Sequence, residues 1–381
     1  MSNKTFVYIS GTDSSVFSSQ VISLVKEVKE YGYFSRVVLL TGLKKNQSTT
    51  EELERLMING FEVLYFKLYP NYPFFSGTQT KELQTVLKGI LVENTVIQLR
   101  GETYVSNVNR AICNFKFNNV KILTDIRGAN KDELELYLKG VYNPFKYQLK
   151  MFQAKINILS AGQKSDYISC VSESLKKYVM EETNVEKEKI SVCHCIANDS
   201  FIFSEEKRKE FRLKLDINDD EILCVFVTGG NGYYQNTKAI IENFSSLGVK
   251  VLNLSKAKID GAINLFVPFS DVPGYLCASD IGIVWRNDDI VNNVASPVKF
   301  SEYVCCGLPV IANTGVHLIN EYVADTGYGK IVQSFDEIDM QLIKRLSGID
   351  RKQISARAKK QFSSVVIVKQ YIDIYQKLLE F

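Results

Sequence analysis

Short apolar runs alternate with stretches of helical period along almost the whole chain, and this alternation narrows the fold more than any other feature. "TFVYIS" (5–10), "RVVLL" (36–40), "FEVLYF" (61–66), "TVIQLR" (95–100), "VKILTDIR" (120–127) and "DYISCVS" (166–172) read as strands. Helical patterns lie between them, near residues 16–31, 81–91, 104–115 and 144–161. Strand–helix alternation of this kind predicts parallel βα units with helices on both faces of a sheet. The runs lack clean in–out alternation, as strands covered on both faces should. After "KISVCHCIANDSFIF" the texture changes. The charged stretch 204–221 reads as an exposed helix and turn, and a second series follows with "ILCVFVTGG", "VKVLNLS", "INLFVPF", "DIGIVW" and "LPVIAN". The expectation is two doubly wound α/β domains, 1–198 and 199–363, with ligands in the cleft between their strand ends. The segment 364–381 is a closing helix with Val368, Tyr371, Ile372, Tyr375 and Leu378 on one stripe.

Bulk properties exclude several classes. The 381 residues carry 46 Lys and Arg against 43 Asp and Glu, and a net charge of +3 does not mark a nucleic-acid binder. No apolar run reaches the ~18–20 residues of a membrane span. The first residues, "MSNKTFVYIS", lack the apolar core of a signal peptide, so a cytoplasmic chain is expected. Eight scattered cysteines fit reduced thiols better than a disulfide framework. "CHC" at 193–195 has no second ligand pair and reads as a shielded strand end. Histidine occurs only at His194 and His317, which argues against a multi-histidine mechanism.

The stretch "SPVKFSEYVCCGLPVIANTGV" (296–316) combines a helix start with charge. Ser296 is expected as N-cap, Pro297 as N1 and Lys299 as N3, with Gly307 ending the helix. Helix-start N–H groups beside an ammonium form an anion site. Lys299 and Glu302 stand at i and i+3 on one face, suited to a diphosphate and to ribose hydroxyls. A common helix start with a common surface ion pair accounts for the same residues.

Taken in order, longer motifs decide between these. "DIGIVWRNDDIVNNVASPVKFSEYVCCGLPVIAN", "LTDIRGANKDE", "VIQLRGETY", "ISCVSESLKKYV" and "FVTGGNGYYQNTKAI" together resemble the retaining GT-B glycosyltransferases of family 4. That resemblance implies a GT-B fold with an acceptor-side domain (1–198), a donor domain (199–363) and a C-terminal helix (364–381) packing back on the first domain. It implies that Glu302 holds the donor ribose, while Ser296, Pro297 and Lys299 lie at its diphosphate. Gly229 and Gly230 would let a loop approach the donor, and Lys238 is a further phosphate candidate, equally readable as a solvated helix lysine. Asp125 would lie near the transferring sugar. Asp125, Arg127 and Lys299 are the catalytic candidates; Arg127 and Arg100, at strand ends of the first domain, would contact acceptor or phosphate, and Gly11 and Arg100 belong to the acceptor side. For Asp125 and Arg127 an ion pair capping the strand-to-helix turn is the ordinary alternative. The sequence departs from the family at Val294, where a carboxylate is usual.

The implied reaction is retaining transfer from a UDP- or GDP-sugar to a saccharide, lipid-linked in surface polysaccharide or glycoconjugate synthesis. Fixed positive charge would stabilise the leaving diphosphate, so no metal is expected. Asp288–Asp289 is the one pair considered for a metal. A catalytically inactive nucleotide-sugar-binding partner subunit and a nucleotide-sugar epimerase of the same fold are the rival readings. A dehydrogenase fits less well, because no G-x-G-x-x-G follows the first strand. Residues 143–155, with Phe145, Tyr147, Met151 and Phe152 among Lys146, Lys150 and Lys155, suggest peripheral contact with an anionic membrane. A crossover helix burying its apolar face on a sheet accounts for the aromatics without a membrane.

Overall fold

The structure is a computed structural model and describes residues 4–11, 17–44, 51–227 and 237–380. The chain divides into two compact units, 1–194 with 368–381 and 195–367.

The first unit carries a sheet ordered β3-β2-β1-β4-β5-β6-β7. Its strands are β1 (Thr5–Ser10), β2 (Arg36–Leu43), β3 (Glu62–Lys67), β4 (Thr95–Arg100), β5 (Val120–Ile126), β6 (Tyr167–Cys170) and β7 (Ile190–Val192). All pairings are parallel. Their carboxyl ends therefore share one edge, and every connection must cross a face. That is why the central strand β1 is apolar along its length: Phe6, Val7, Tyr8 and Ile9 are all fully buried. The helix Ser364–Glu380 completes this unit from Val368 onward. The stripe of Val368, Tyr371, Ile372, Tyr375 and Leu378 is buried as its spacing requires. Tyr375 packs on Phe6 and Phe34, with ring centroids at 5.1 and 5.4 Å, and its hydroxyl donates to Gln98.

The second unit carries a parallel sheet ordered β10-β9-β8-β11-β12-β13. Its strands are β8 (Leu223–Val227), β9 (Lys250–Leu254), β10 (Ile263–Leu265), β11 (Ile281–Val284), β12 (Val310–Asn313) and β13 (Gly329–Val332). The period-2 geometry of β8 feeds two cores. Leu223, Val225 and Val227 enter one, with Phe300, Tyr303 and Phe362. Cys224 and Phe226 enter the other, with Phe244 and Ile343. Each such side chain contributes roughly 1.5–3 kcal/mol on burial.

The charged stretch 204–221 corrects one expectation. Its helix, Glu205–Lys214, is not simply a solvated surface element. Arg212 is 2% exposed and donates to Asp280 and to the carbonyls of Ala278, Asn218 and Glu221. Arg208 adds a 2.6 Å bond to Asp280. A guanidinium can be buried when a paired carboxylate and several carbonyls take up its terminal N–H groups, and a hydropathy pattern does not register that. All eight cysteines are free. Among the described residues, no helix is long and apolar enough to cross a membrane.

Candidate functional site

In the second unit the chain leaves β11 at the carboxyl edge and turns through a short helix, Ile290–Asn293. It enters the helix Val298–Cys305 from that same edge before returning as β12. The start of Val298–Cys305 thus lies at the strand ends. Its far end closes with Gly307 at φ +77°, where Gly307 N–H donates to Val304 O and Leu308 N–H to Tyr303 O. These two bonds form a Schellman stop. A Cβ at Gly307 would also come within 2.4 Å of Arg351 O.

The helix start differs from the sequence expectation by one residue. Pro297 has an extended backbone (φ −66°, ψ 118°) and is itself the cap residue, without a side-chain bond. Ser296 is not the N-cap, because its Oγ accepts from Cys195 N–H at 3.4 Å. Lys299 consequently falls at the second helical position, not the third. Its Nζ lies 2.8 Å from Glu302 Oε2, with the lysine side chain 30% exposed and the glutamate 1%. Burial pushes the Glu302 carboxyl above its ordinary range, and Lys299 opposes that only in part. An anion reaching this edge meets the ammonium first and the carboxylate beneath it.

Three residues that sequence reasoning missed shape this edge. Tyr303 donates no bond through an exposed hydroxyl; it is fully buried and accepts from Val227 N–H at 2.7 Å, at the last residue of β8. Gly282 makes room for that ring, since a Cβ there would stand 2.5 Å from it. Arg286 follows the end of β11, and its charge acts on the Tyr303 hydroxyl. Its backbone is clamped by Asn313, which accepts from Arg286 N–H at 2.9 Å and donates to Arg286 O at 2.6 Å. A basic residue just past an apolar run was the available signal for Arg286.

Lys238 lies on the first turn of the helix Thr237–Ser246, its side chain exposed and 3.6 Å from Glu242. Gly229 and Gly230 lie outside the described residues. Val294, where the family places a carboxylate, is buried at 2% exposure. Asp288 and Asp289 both have local partners. Asp289 caps the helix Ile290–Asn293 by accepting from Asn292 N–H at 3.0 Å, and Asp288 accepts from Asn293 at 2.8 Å.

In the first unit, register brings Gly11, Arg100, Asp125 and Arg127 to one sheet edge: Ile9 pairs with Leu99, and Arg100 with Asp125. Gly11 is tightly enclosed, as a Cβ there would stand 3.2 Å from the Tyr104 ring. Asp125 is fully buried. Oδ1 accepts from Ser169 and from Tyr371, each at 3.0 Å, and Oδ2 faces Arg127 Nη1 at 3.3 Å. Burial, reinforced by Asp125, pushes the Tyr371 hydroxyl well up, so it remains the donor. Arg127 also donates to Gln20 Oε1 at 2.8 Å. Asp125 thus meets Arg127, Ser169 and Tyr371, and the ion pair with Arg127 is present. Arg100 Nη1 is buried and has no hydrogen-bond partner among the described residues. The Cys-His-Cys run is packed against the sheet, with His194 Nδ1 2.9 Å from Val171 O.

Comparison with known proteins agrees with this architecture. Residues 261–372, which contain the helix Val298–Cys305, match the family model "Glucosyltransferase 3-like, C-terminal domain". A search of curated proteins finds no match. Among solved structures, a glycosyltransferase from Rickettsia africae is similar at TM-score 0.73 and 16% identity, covering 100% of this chain and 99% of that one. Anabaena Alr3699/HepE in complex with UDP-glucose aligns at TM-score 0.69 and 11% identity, covering 98% and 99%. Medicago truncatula UGT71G1, also complexed with UDP-glucose, aligns at TM-score 0.56 and 12% identity, covering 98% of each. The chain has the GT-B fold, and its residues 261–372 match the model of a Glucosyltransferase 3-like C-terminal domain.

Proposed function

We propose that this chain transfers a sugar, with retention, from a nucleotide-sugar donor held by the second unit to a saccharide acceptor bound by the first. The observation that carries this reading is Lys299 over buried Glu302 at the strand-end start of Val298–Cys305. The helix start and ammonium suit a diphosphate; the carboxylate beneath suits ribose hydroxyls once Lys299 turns to the phosphate. Arg286 supplies a second cation at that edge. As the glycosidic bond breaks, negative charge grows on the diphosphate, and preformed cations lower that barrier without reorganising. UDP is the preferred carrier, by analogy with the UDP-sugar complexes of the similar structures. On the first unit, Asp125 is a positioning residue that holds Arg127 in place.

The reading requires no metal, and turnover should persist in EDTA; loss restored by Mg²⁺ or Mn²⁺ would reject that part. Support for a lipid-linked acceptor comes from the helix Pro144–Lys164. It buries Gln153, Asn157, Ile158, Ser160 and Ala161 while Phe145 and Phe152 stand 72% and 58% exposed. A buried apolar face therefore does not account for these two aromatics. Phe74, 65% exposed, stacks with Tyr72, over which Lys150 Nζ lies at 5.4 Å. Exposed aromatics beside lysines suit an anionic membrane surface and a role in surface-polysaccharide assembly from the cytoplasmic side.

Buried Val294 favours the rival reading of an inactive nucleotide-sugar-binding subunit. A thermal-shift panel of UDP-, GDP- and ADP-sugars, followed by donor turnover with and without added saccharide, separates the readings. Stabilisation with acceptor-dependent turnover supports the transferase. Stabilisation without turnover supports the inactive subunit, and turnover without acceptor supports an epimerase. No stabilisation by any sugar nucleotide rejects all three.

A further inference from the structure

Beyond the strand-end residues, the first unit contains a cavity of about 350 Å³ lined by Glu102, Asn130, Glu133, Tyr142, Lys150 and Asn157. That volume lies within the roughly 300–1,000 Å³ of small-molecule sites. Its lining is chemically unusual. Glu102 is 4% exposed; its Oε1 accepts from Asn130 at 2.8 Å, and its Oε2 is buried without a partner among the described residues. A buried acceptor left unpaired is destabilising, and a ligand's hydroxyl would remove that cost. Burial raises the Glu102 carboxyl above its ordinary range, so it can serve as donor or acceptor as pH varies.

The opposite wall comes from the helix Pro144–Lys164 through Lys150, Ala154 and Asn157. Asn157, 5% exposed, accepts from Gln153 at 2.8 Å. Lys150 Nζ sits 4.8 Å from the centroid of the Tyr142 ring. Leu134, Leu138 and Ala154 give the lining an apolar share beside these polar groups. Glu102 and Glu133 against the single cation Lys150 disfavour a phosphate or nucleotide here. Amides, carboxyls and an aromatic ring together match a polyhydroxylated neutral ring, with hydroxyls on the edge and C–H groups on the face.

We infer that this cavity binds a neutral saccharide unit, with Glu102, Asn130 and Asn157 taking its hydroxyls and Tyr142 packing against its ring. Describing it as the acceptor's sugar rests on the transferase reading; the binding itself does not. Lys150, in the cavity lining, also lies 5.4 Å from the ring of half-buried Tyr72, which stacks with exposed Phe74. A saccharide joined to an apolar carrier would meet both surfaces.

Saturation-transfer NMR on the full chain, with the methyl glycosides of glucose, galactose, mannose, rhamnose and N-acetylglucosamine, tests this. At least one should bind saturably without nucleotide, and Glu102→Leu should weaken it about tenfold or more. The melting temperature should hold or rise, since an unpaired buried carboxyl is removed. Should Glu102→Leu fail to fold, Glu102→Gln keeps the acceptor for Asn130 and should still weaken binding about threefold. No binding by any of the five, or wild-type affinity in the variant that folds, would overturn the inference. UDP-glucose stabilisation measured in parallel separates the two readings. Its absence alongside glycoside binding would reject the donor site and leave the cavity standing, and the converse would do the reverse.

Discussion

At the scale of single residues, the decisive quantity is how each carboxylate is buried. Glu302 is held above its ordinary range by burial, so the folded chain binds its proton more tightly than the unfolded chain does. Its contribution to stability is therefore fully present below about pH 4.3, the unfolded value for glutamate, and is lost as pH rises through the folded value. Glu302→Gln removes this dependence. The difference in melting temperature, variant minus wild type, should increase from pH 5 to pH 8 in thermal scans; a flat difference would place Glu302 in ordinary solvent contact. Asp125 is fully buried among Ser169, Tyr371 and Arg127. Asp125→Asn keeps the shape but presents an amide to Arg127, so we expect melting temperature and turnover to fall together, with donor affinity unchanged. Turnover lost at unchanged melting temperature would instead give Asp125 a direct part in the reaction.

At the scale of elements, the helix Val298–Cys305 is fixed from behind by a residue with no visible motif. Arg351, the first residue of Arg351–Phe362, is 9% exposed and donates to the carbonyls of Leu276, Cys277, Ser279, Cys306 and Gly307. It thereby ties the ends of Val272–Ala278 and Val298–Cys305 together. Burial lowers its pKa to about 10, still well above neutral, so the cation persists. Arg351→Ala leaves these carbonyls unpaired and should cost about 3 kcal/mol or more in chemical denaturation. A loss below about 1 kcal/mol would show that water replaces the guanidinium. The apolar strands, the stripe of the closing helix and the Gly307 stop were legible in the sequence because periodicity and φ > 0 are local properties. The role of Ser296, the burial of Arg212, the reach of Arg351 and the polar inner face of Pro144–Lys164 were not. Each depends on partners tens of residues away, and Ser296 is drawn from capping by a backbone N–H about a hundred residues earlier in the chain.

At the scale of the whole molecule, the chain combines a GT-B fold with exposed aromatics beside lysines on the first unit. The net charge of +3 is too small for strong electrostatic binding to lipid. Flotation with anionic liposomes should therefore recover the chain at low salt and lose it at high salt, and Phe145→Ser with Phe152→Ser should reduce recovery by about half or more. No flotation at low salt would remove the membrane from the account and leave sugar transfer untouched. The central claim is that the second unit holds a nucleotide sugar through Lys299 and Glu302. Isothermal titration of UDP-glucose into the wild type, Lys299→Ala and Glu302→Gln tests it most directly. The account predicts saturable binding by the wild type, weakened about tenfold or more in each variant, about 1.4 kcal/mol, with both variants folded. Equal affinity in all three proteins would contradict it.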